Sequence, residues 1–274
     1  MLVCDPQDVI ARLTDAYADI VALDNFALSC QGIKVGRLAE EPAWFTQVAI
    51  EFRRLDAAAD VWQLDRPLVW LPVLQAFREY ATTFTASAWL VAPEVANDGR
   101  LWADLLKQRL LPKTARSLAA TRAADKELKG MIRAFGSPQP QMRTAIAAGL
   151  QALASEPQQT LKPSTRQAHL TRAVAAMGGI QAHYLTLRGA LPRLVEVWEA
   201  QQASLDQALA ALTAGAQPSD CPGLTSLPGA LAAWQVIDAF VAHLAQHDAS
   251  NASAPLIDLS SGDLSPICPS LTRM

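Results

Sequence analysis

Helical periodicity that continues over unusually long segments is the feature that most restricts how this chain can fold. Apolar residues recur at spacings of three and four along most of the sequence, and no segment alternates apolar and polar residues convincingly. The 51 alanines and 37 leucines among 274 residues favour helix further. We therefore expect an all-α fold, an elongated bundle of long helices with a smaller helical head.

The composition excludes several classes of protein. Charged residues make up 18% and hydrophobic residues 51% of the chain, so global disorder is excluded. The formal net charge of -3 argues against a nucleic-acid binder, which needs a basic stripe to displace counterions from phosphates. The four cysteines are far apart and form no CxxC pair, so we expect neither a disulfide framework nor a zinc knuckle.

The start of the sequence and its hydropathy bear on membrane targeting. The first residues lack a basic region and turn acidic at Asp5, which predicts no secretory signal peptide. No run of about 18 uncharged apolar residues occurs, which predicts no permanent transmembrane helix. We expect the chain to be soluble when it is synthesised.

Prolines and glycines divide the periodic sequence into helices. Asp5 or Asp8 is expected to cap a first helix that ends near Gln31. Pro67 and Pro72 are expected to interrupt the helical pattern that follows.

The middle of the chain contains a predicted helix from about Asn97, a plausible N-cap, to Phe135. Pro112 is expected to kink this helix without ending it, because helical spacing continues on both sides. Residues 139–155 are predicted to form a separate short helix.

A single helix of about fifty residues, or about 75 Å, is predicted from Ser164 to Ala214. Gly178, Gly179, Gly189 and Pro192 are the candidate points at which it bends or breaks. A loop at 215–229 then leads to a closing helix. The predicted domains are a bundle tail (1–136 and 181–248), a head (137–180) and a flexible C-terminal tail (249–274).

Residues with recognisable catalytic spacing are scarce. His243 and His247 lie four apart, so both imidazoles share one helix face and could share a metal ion. No glutamate lies between them and no third ligand accompanies them except Asp248, so a solvated pair near a helix C-terminus is the favoured interpretation. Hydrolase motifs and phosphate-binding loops are absent. We therefore expect no enzyme, no cofactor and no metal.

Two apolar segments are candidate membrane contacts. The first is the 139–155 helix, whose stripe of large apolar residues contains a single charge, Arg143. This stripe consists of Met142, Ile146, Leu150 and Leu153. Such a helix suits a bilayer interface, and it equally suits a protein core. The second segment, 173–180, contributes Val174, Met177 and Ile180, and its small residues suit close helix packing or insertion into lipid.

Three tryptophan-centred stretches carry a family resemblance. Trp62 is followed by Pro67 and then by a spaced aromatic face. Trp198 lies in the apolar stretch 191–205, and Trp234 lies in the stretch 230–244. In this order of helices and tryptophans the chain resembles the ClyA-type α-pore-forming toxins, which include the haemolysin BL and Nhe components of bacilli.

The resemblance implies a conformational mechanism. A soluble bundle would hide apolar surface on its head, expose it at a membrane and assemble with partner toxin subunits and with further copies of itself. The head contacts would be the seven apolar residues named above, and Pro112, Gly178 and Gly179 would act as hinges. The resemblance also implies a secreted bacterial protein that is soluble before it attaches to its target membrane.

The predicted head departs from the pore-lining members of this family. Residues 137–180 contain no stretch apolar enough to cross about 30 Å of hydrocarbon. This fits a component that docks on one leaflet and recruits other subunits better than an independent pore-former. The alternative hypothesis is an intracellular helical scaffold or adaptor that binds other proteins.

Overall fold

All regular secondary structure in the described part of the chain is helical, which confirms the all-α prediction. The computed structural model describes residues 5–31, 42–91, 96–155, 165–221, 224 and 227–250. In chain order the α-helices are α1 (Pro6–Gln31), α2 (Ala43–Thr85), α3 (Gly99–Leu105), α4 (Leu111–Gly136), α5 (Gln139–Ser155), α6 (Thr165–Tyr184), α7 (Leu191–Thr213) and α8 (Leu227–Ser250). Short 3-10 helices occupy Ala88–Val91 and Pro218–Asp220, and a π-helical turn occupies Leu106–Leu110.

The described residues group into two compact units. The first unit takes residues 5–18, 67–128 and 189–250, and the second takes residues 19–66 and 129–188. The predicted head, residues 137–180, falls inside the second unit. Of the predicted C-terminal tail, only residues 249 and 250 are described, as the end of α8, and the remainder lies outside the described residues.

Side-chain caps fix where two helices begin. The carboxylate of Asp5 accepts a hydrogen bond from the backbone N–H of Gln7 at 3.0 Å, and α1 ends at Gln31 as predicted. The cap of α3 is Asp98, one residue after the predicted Asn97. Its carboxylate accepts from the backbone N–H of Arg100 and of Leu101.

Helix α2 runs unbroken through both of its prolines, so the predicted interruption at Pro67 and Pro72 was wrong. Each internal proline costs about 3 kcal/mol because it removes a backbone hydrogen bond. The face of α2 that carries Val69, Trp70 and Val73 is fully buried, and each such side chain contributes about 1.5–3 kcal/mol. Burial therefore outweighs the local preference, and Pro67 lies on the exposed side.

The predicted fifty-residue helix is two helices, α6 and α7, separated by residues 185–190. Gly178 and Gly179 lie inside α6, so the helix does not break at the glycine pair but after it. Pro192 lies in the first turn of α7, where its missing N–H has no intrahelical partner to lose. The prediction of one continuous helix was wrong, although Gly189 and Pro192 do mark the break.

The helical path continues from Gly99 to Gly136 through Pro112. The π-helical turn Leu106–Leu110 comes directly before this proline. Because Pro112 has no N–H, the carbonyl of Gln108 has no donor four residues later. A wider turn next to the proline is a known way to accommodate that loss without ending the helix.

An aromatic cluster forms the core of the first unit. Trp198 of α7 and Trp234 of α8 are stacked with ring centroids 6.0 Å apart, and Tyr80 of α2 lies 4.5 Å from the Trp234 ring. The buried Tyr80 hydroxyl accepts a hydrogen bond from the amide of Gln201 at 2.8 Å. Two of the tryptophans that carried the family resemblance are thus packing anchors.

A buried carboxylate organises the second unit. Asp24 of α1 accepts a hydrogen bond from the Trp62 indole at 2.8 Å and from the Arg66 Nε at 2.7 Å. Both partners lie on α2, and the Asp24 side chain is 8% exposed. Trp62 is therefore held by a polar partner as well as by its apolar surroundings.

We predict that Asp24→Ala lowers the free energy of unfolding by about 3–5 kcal/mol, because it leaves Arg66 without its buried counter-charge. The control is Asp15→Ala, which removes an exposed ion pair with Arg193 and should cost less than about 1 kcal/mol. Urea unfolding followed by tryptophan fluorescence measures both values. Equal, small losses would contradict the structural role given to Asp24.

Candidate functional site

Helices α5 and α6 lie against each other in the second unit and form the candidate site. The start of α5 is held from two sides. The Gln139 amide donates to the backbone carbonyl of Phe135 at 3.0 Å, and the Gln181 amide of α6 donates to the Gln139 carbonyl at 2.8 Å. These bonds fix where α5 begins, at the residue that the sequence predicted.

Gly149 permits the close approach of α5 to its neighbours. A Cβ atom at this position would lie 2.7 Å from Val174 Cγ2 and 3.0 Å from Trp44 Cζ3. Gly136 plays a similar part, because a Cβ there would collide with the Tyr184 hydroxyl. The contact between α5, α6 and Trp44 thus depends on a side chain that is a single hydrogen atom.

The structure places the seven predicted contact residues in three environments. Met142, Val174, Met177 and Ile180 are buried, Ile146 and Leu153 are half-buried, and Leu150 is 55% exposed. In this conformation α5 therefore offers solvent one large apolar side chain with two others at its edges. The remaining four would have to be released before they could touch a membrane.

Sequence reasoning missed the small residues on the buried side of α5. That side consists of Gln139, Met142, Ala145 and Gly149. A search for large apolar residues passes over Ala145 and Gly149. Their spacing of four, typical of closely packed helices, was the available signal.

The predicted hinge residues lie in different surroundings. Gly178 is exposed, and a Cβ there would have no neighbour within 4 Å. Gly179 is half-buried in the same helix. Pro112 belongs to the part of α4 that packs in the first unit. Their hinge role stays a prediction.

All formally charged side chains of α5 and α6 are positive. They are Arg143, Arg166 and Arg172, and neither helix contains an aspartate or glutamate. Burial lowers the pKa of His183, near the end of α6, so its ring is uncharged at neutral pH. The pair is therefore a basic and largely apolar element.

The histidines and cysteines outside α5 and α6 were the other candidate reactive groups. Within residues 5–31, 42–91, 96–155, 165–221, 224 and 227–250, no three His, Cys, Asp or Glu side chains lie close enough to hold a metal ion. His247 Nδ1 lies 3.3 Å from the Tyr17 hydroxyl, and its ring centroid lies 6.5 Å from that of His243. Burial raises the pKa of the Cys30 thiol, which makes it a poor nucleophile.

None of the described helices combines the length and hydropathy that a transmembrane span requires.

Comparison with known proteins gives a match of fold. No protein-family model matches the sequence, and no curated protein matches it. Several solved structures do match, and two of them are described as "The cytotoxin MakB from Vibrio cholerae" and "Crystal Structure of Motility Associated Killing Factor B from Vibrio cholerae". Both have a TM-score of 0.76 and 17% sequence identity. The first match covers 89% of this chain and 94% of the other, and the second covers 93% and 95%.

The chain shares the fold of this cytotoxin. The two alignments extend over nearly the whole of both chains, so the similarity is not confined to one helical hairpin. The expected likeness to a toxin is confirmed at the level of fold.

We predict opposite effects for two glycine substitutions. Gly149→Ala should lower the free energy of unfolding by about 1–3 kcal/mol, because the added methyl collides with Val174 and Trp44. Gly178→Ala, its matched control inside a helix, should raise it by about 0.5–1 kcal/mol, because there is space and alanine restricts the unfolded chain. Denaturant titration measures both changes. If Gly149→Ala leaves the free energy of unfolding unchanged, α5 and α6 are not in close contact at this position.

Proposed function

We propose that the chain is a component of a multi-part α-helical pore-forming toxin of the ClyA type, which binds a membrane and assembles with partner subunits. The observation that carries this proposal is the fold shared with a Vibrio cholerae cytotoxin over 94% of that protein's chain. We propose that the protein acts without catalysis, by binding and changing shape. It would be bacterial and secreted, and soluble until it meets its target.

The exposed side of α5 supports the first contact with lipid. Leu150 is exposed there, with Ile146 and Leu153 half-buried at its edges. Arg143 is also exposed, and α5 contains no acidic residue. An apolar edge beside a cation favours the interface of an anionic membrane.

Deeper attachment would require α5 to separate from α6. That step releases Met142, Val174, Met177 and Ile180, which are buried in the present conformation. It also breaks the Gln181–Gln139 hydrogen bond. In the proposed mechanism lipid replaces the apolar surroundings that these side chains lose, so the free-energy difference between the two states is small.

Partner subunits would stabilise the attached state. One amphipathic helix gives only marginal and reversible membrane binding. Linking several such helices in an assembly makes the later contacts intramolecular and raises the overall affinity. We therefore propose that further copies of the chain and other toxin subunits join at the membrane.

The first test replaces the exposed leucine of α5. We expect Leu150→Asp to lower binding to anionic liposomes about tenfold or more in a flotation assay, because a charge replaces an apolar side chain that enters the interface. The melting temperature should fall by only a few degrees, since more than half of the side chain is in solvent already.

The matched control is Leu185→Asp, which makes the same change at a leucine 76% exposed in the turn after α6. Flotation that is unaffected by Leu150→Asp, or absent for the wild type both alone and with its partner subunits, would reject the membrane role. A stably folded protein without lipid binding would favour the scaffold or adaptor hypothesis.

The second test addresses the hinge. Gly178→Ala stiffens α6 without a steric clash, so we expect slower lysis while the initial binding to liposomes is retained. Dye release from liposomes with partner subunits present measures the rate of lysis. An unchanged lysis rate would remove Gly178 from the mechanism.

A further inference from the structure

Helix α2 carries an exposed apolar stripe that neither the fold nor the proposed function uses. Nine large hydrophobic side chains are exposed in the described part of the chain, and five of them lie on this one helix. They are Ile50, Val61, Leu64, Leu68 and Leu71. Together with the exposed Ala57 they are called the α2 stripe below.

The α2 stripe has the spacing of a coiled-coil seam. Ile50, Ala57, Leu64 and Leu71 follow one another at intervals of seven, and Val61 and Leu68 form the second series, whose first position is the exposed Arg54. Leu64 is 77% exposed and Leu68 is 72% exposed, so the centre of the stripe is also its most exposed part. Successive residues of the stripe are therefore three or four positions apart, and this spacing allows a second helix to pack against it with knobs-into-holes packing.

The length of the α2 stripe defines the length of its occupant. From Ile50 to Leu71 the stripe spans three heptads, about 33 Å of helix. All its positions lie on the continuous helix α2, so the helix period alone places them on one face. Three heptads are about the minimum that sustains a coiled-coil pairing.

The flanks of the α2 stripe define the charge of its occupant. Asp56 and Asp60 are exposed and Asp65 is half-buried, and the segment 55–65 contains no lysine or arginine. Arg53 and Arg54 lie one turn before Ala57, where Arg54 forms an ion pair with Glu51. The centre of the stripe is therefore bordered by acidic groups.

The two prolines of α2 add uncharged acceptors beside the stripe. Pro67 and Pro72 cannot donate a backbone hydrogen bond, so the carbonyls of Gln63 and Leu68 have no donor four residues later. Lysine and arginine have only donors, so they suit a border composed of carboxylates and such carbonyls.

We propose that the α2 stripe is a docking surface for an amphipathic helix of a partner protein. The partner helix has about three heptads, aliphatic residues at its seam and lysine or arginine on both sides. A second copy of α2 aligned in parallel would place like charges opposite each other. Anionic lipid would be repelled by the aspartates. The inference holds whether or not the chain acts on membranes.

Two synthetic peptides test the proposal against the full-length chain. Both have three heptads with leucine and isoleucine at the seam, and one has lysine at the flanking positions where its twin has glutamate. In fluorescence anisotropy we expect the lysine peptide to bind at least about tenfold more tightly than the glutamate peptide. No binding of the lysine peptide would overturn the proposal.

Variants of the chain locate the binding surface. The double variant Leu64→Gln, Leu68→Gln should weaken binding of the lysine peptide by about tenfold or more, since it removes two exposed leucines that the bound peptide would cover. Leu150→Gln changes an exposed leucine on α5 and should leave binding unchanged. Circular dichroism verifies that each variant is folded. Equal binding by the double variant would overturn the proposal.

A charge exchange tests the chemistry of the partner. Asp56→Lys with Asp60→Lys should reverse the preference, so that the glutamate peptide binds more tightly than the lysine peptide. An unchanged preference between the two peptides would overturn the charge argument.

Sedimentation of the chain alone provides a further test. If the chain forms a dimer and the double variant Leu64→Gln, Leu68→Gln is a monomer, the stripe binds a second copy, which would overturn the partner-helix proposal. Vesicle binding lost in the same variant would overturn it in favour of lipid.

Discussion

The structure depends on the burial of one face of α2 along its whole length. In the second unit this face places Trp62 against Asp24, and in the first unit it places Tyr80 against Trp234. The free energy of burying these side chains keeps the helix intact through Pro67. Because α2 contributes to both units, each unit is packed around a segment of the same helix.

The helix ends that could be predicted from the sequence are those set by a neighbouring residue, such as a capping carboxylate or a proline. The start of α1 follows from the hydrogen bond that the Asp5 carboxylate accepts from the backbone of Gln7. The start of α5 was predicted because Pro138 comes directly before it, and the hydrogen bond from Gln139 to Phe135 holds the start at that residue. These are effects of neighbours in sequence, which a sequence shows directly.

The features that could not be predicted from the sequence depend on which side chains are buried in the folded chain. Whether Pro67 breaks a helix depends on what the opposite face buries, and this is a property of the folded chain. The same holds for the seven candidate contact residues. Periodicity identified Leu150 and Met142 as members of one stripe, but only the folded structure shows that one is exposed and the other buried. The spacing of Ala145 and Gly149 indicated a close helix contact, but it could not identify Val174 and Trp44 as the neighbours of Gly149, because both are distant in sequence.

The contact at Gly149 restricts how sequences with this fold can diverge. Exposed positions on α5 have no close neighbour that restricts the volume of their side chains. At position 149 only a hydrogen atom fits between Trp44 and Val174. A larger residue there requires Val174 and Trp44 to move or to be replaced by smaller residues, so substitutions at these three sites should be coupled. Such coupled substitution would appear in related sequences as covariation among three distant positions.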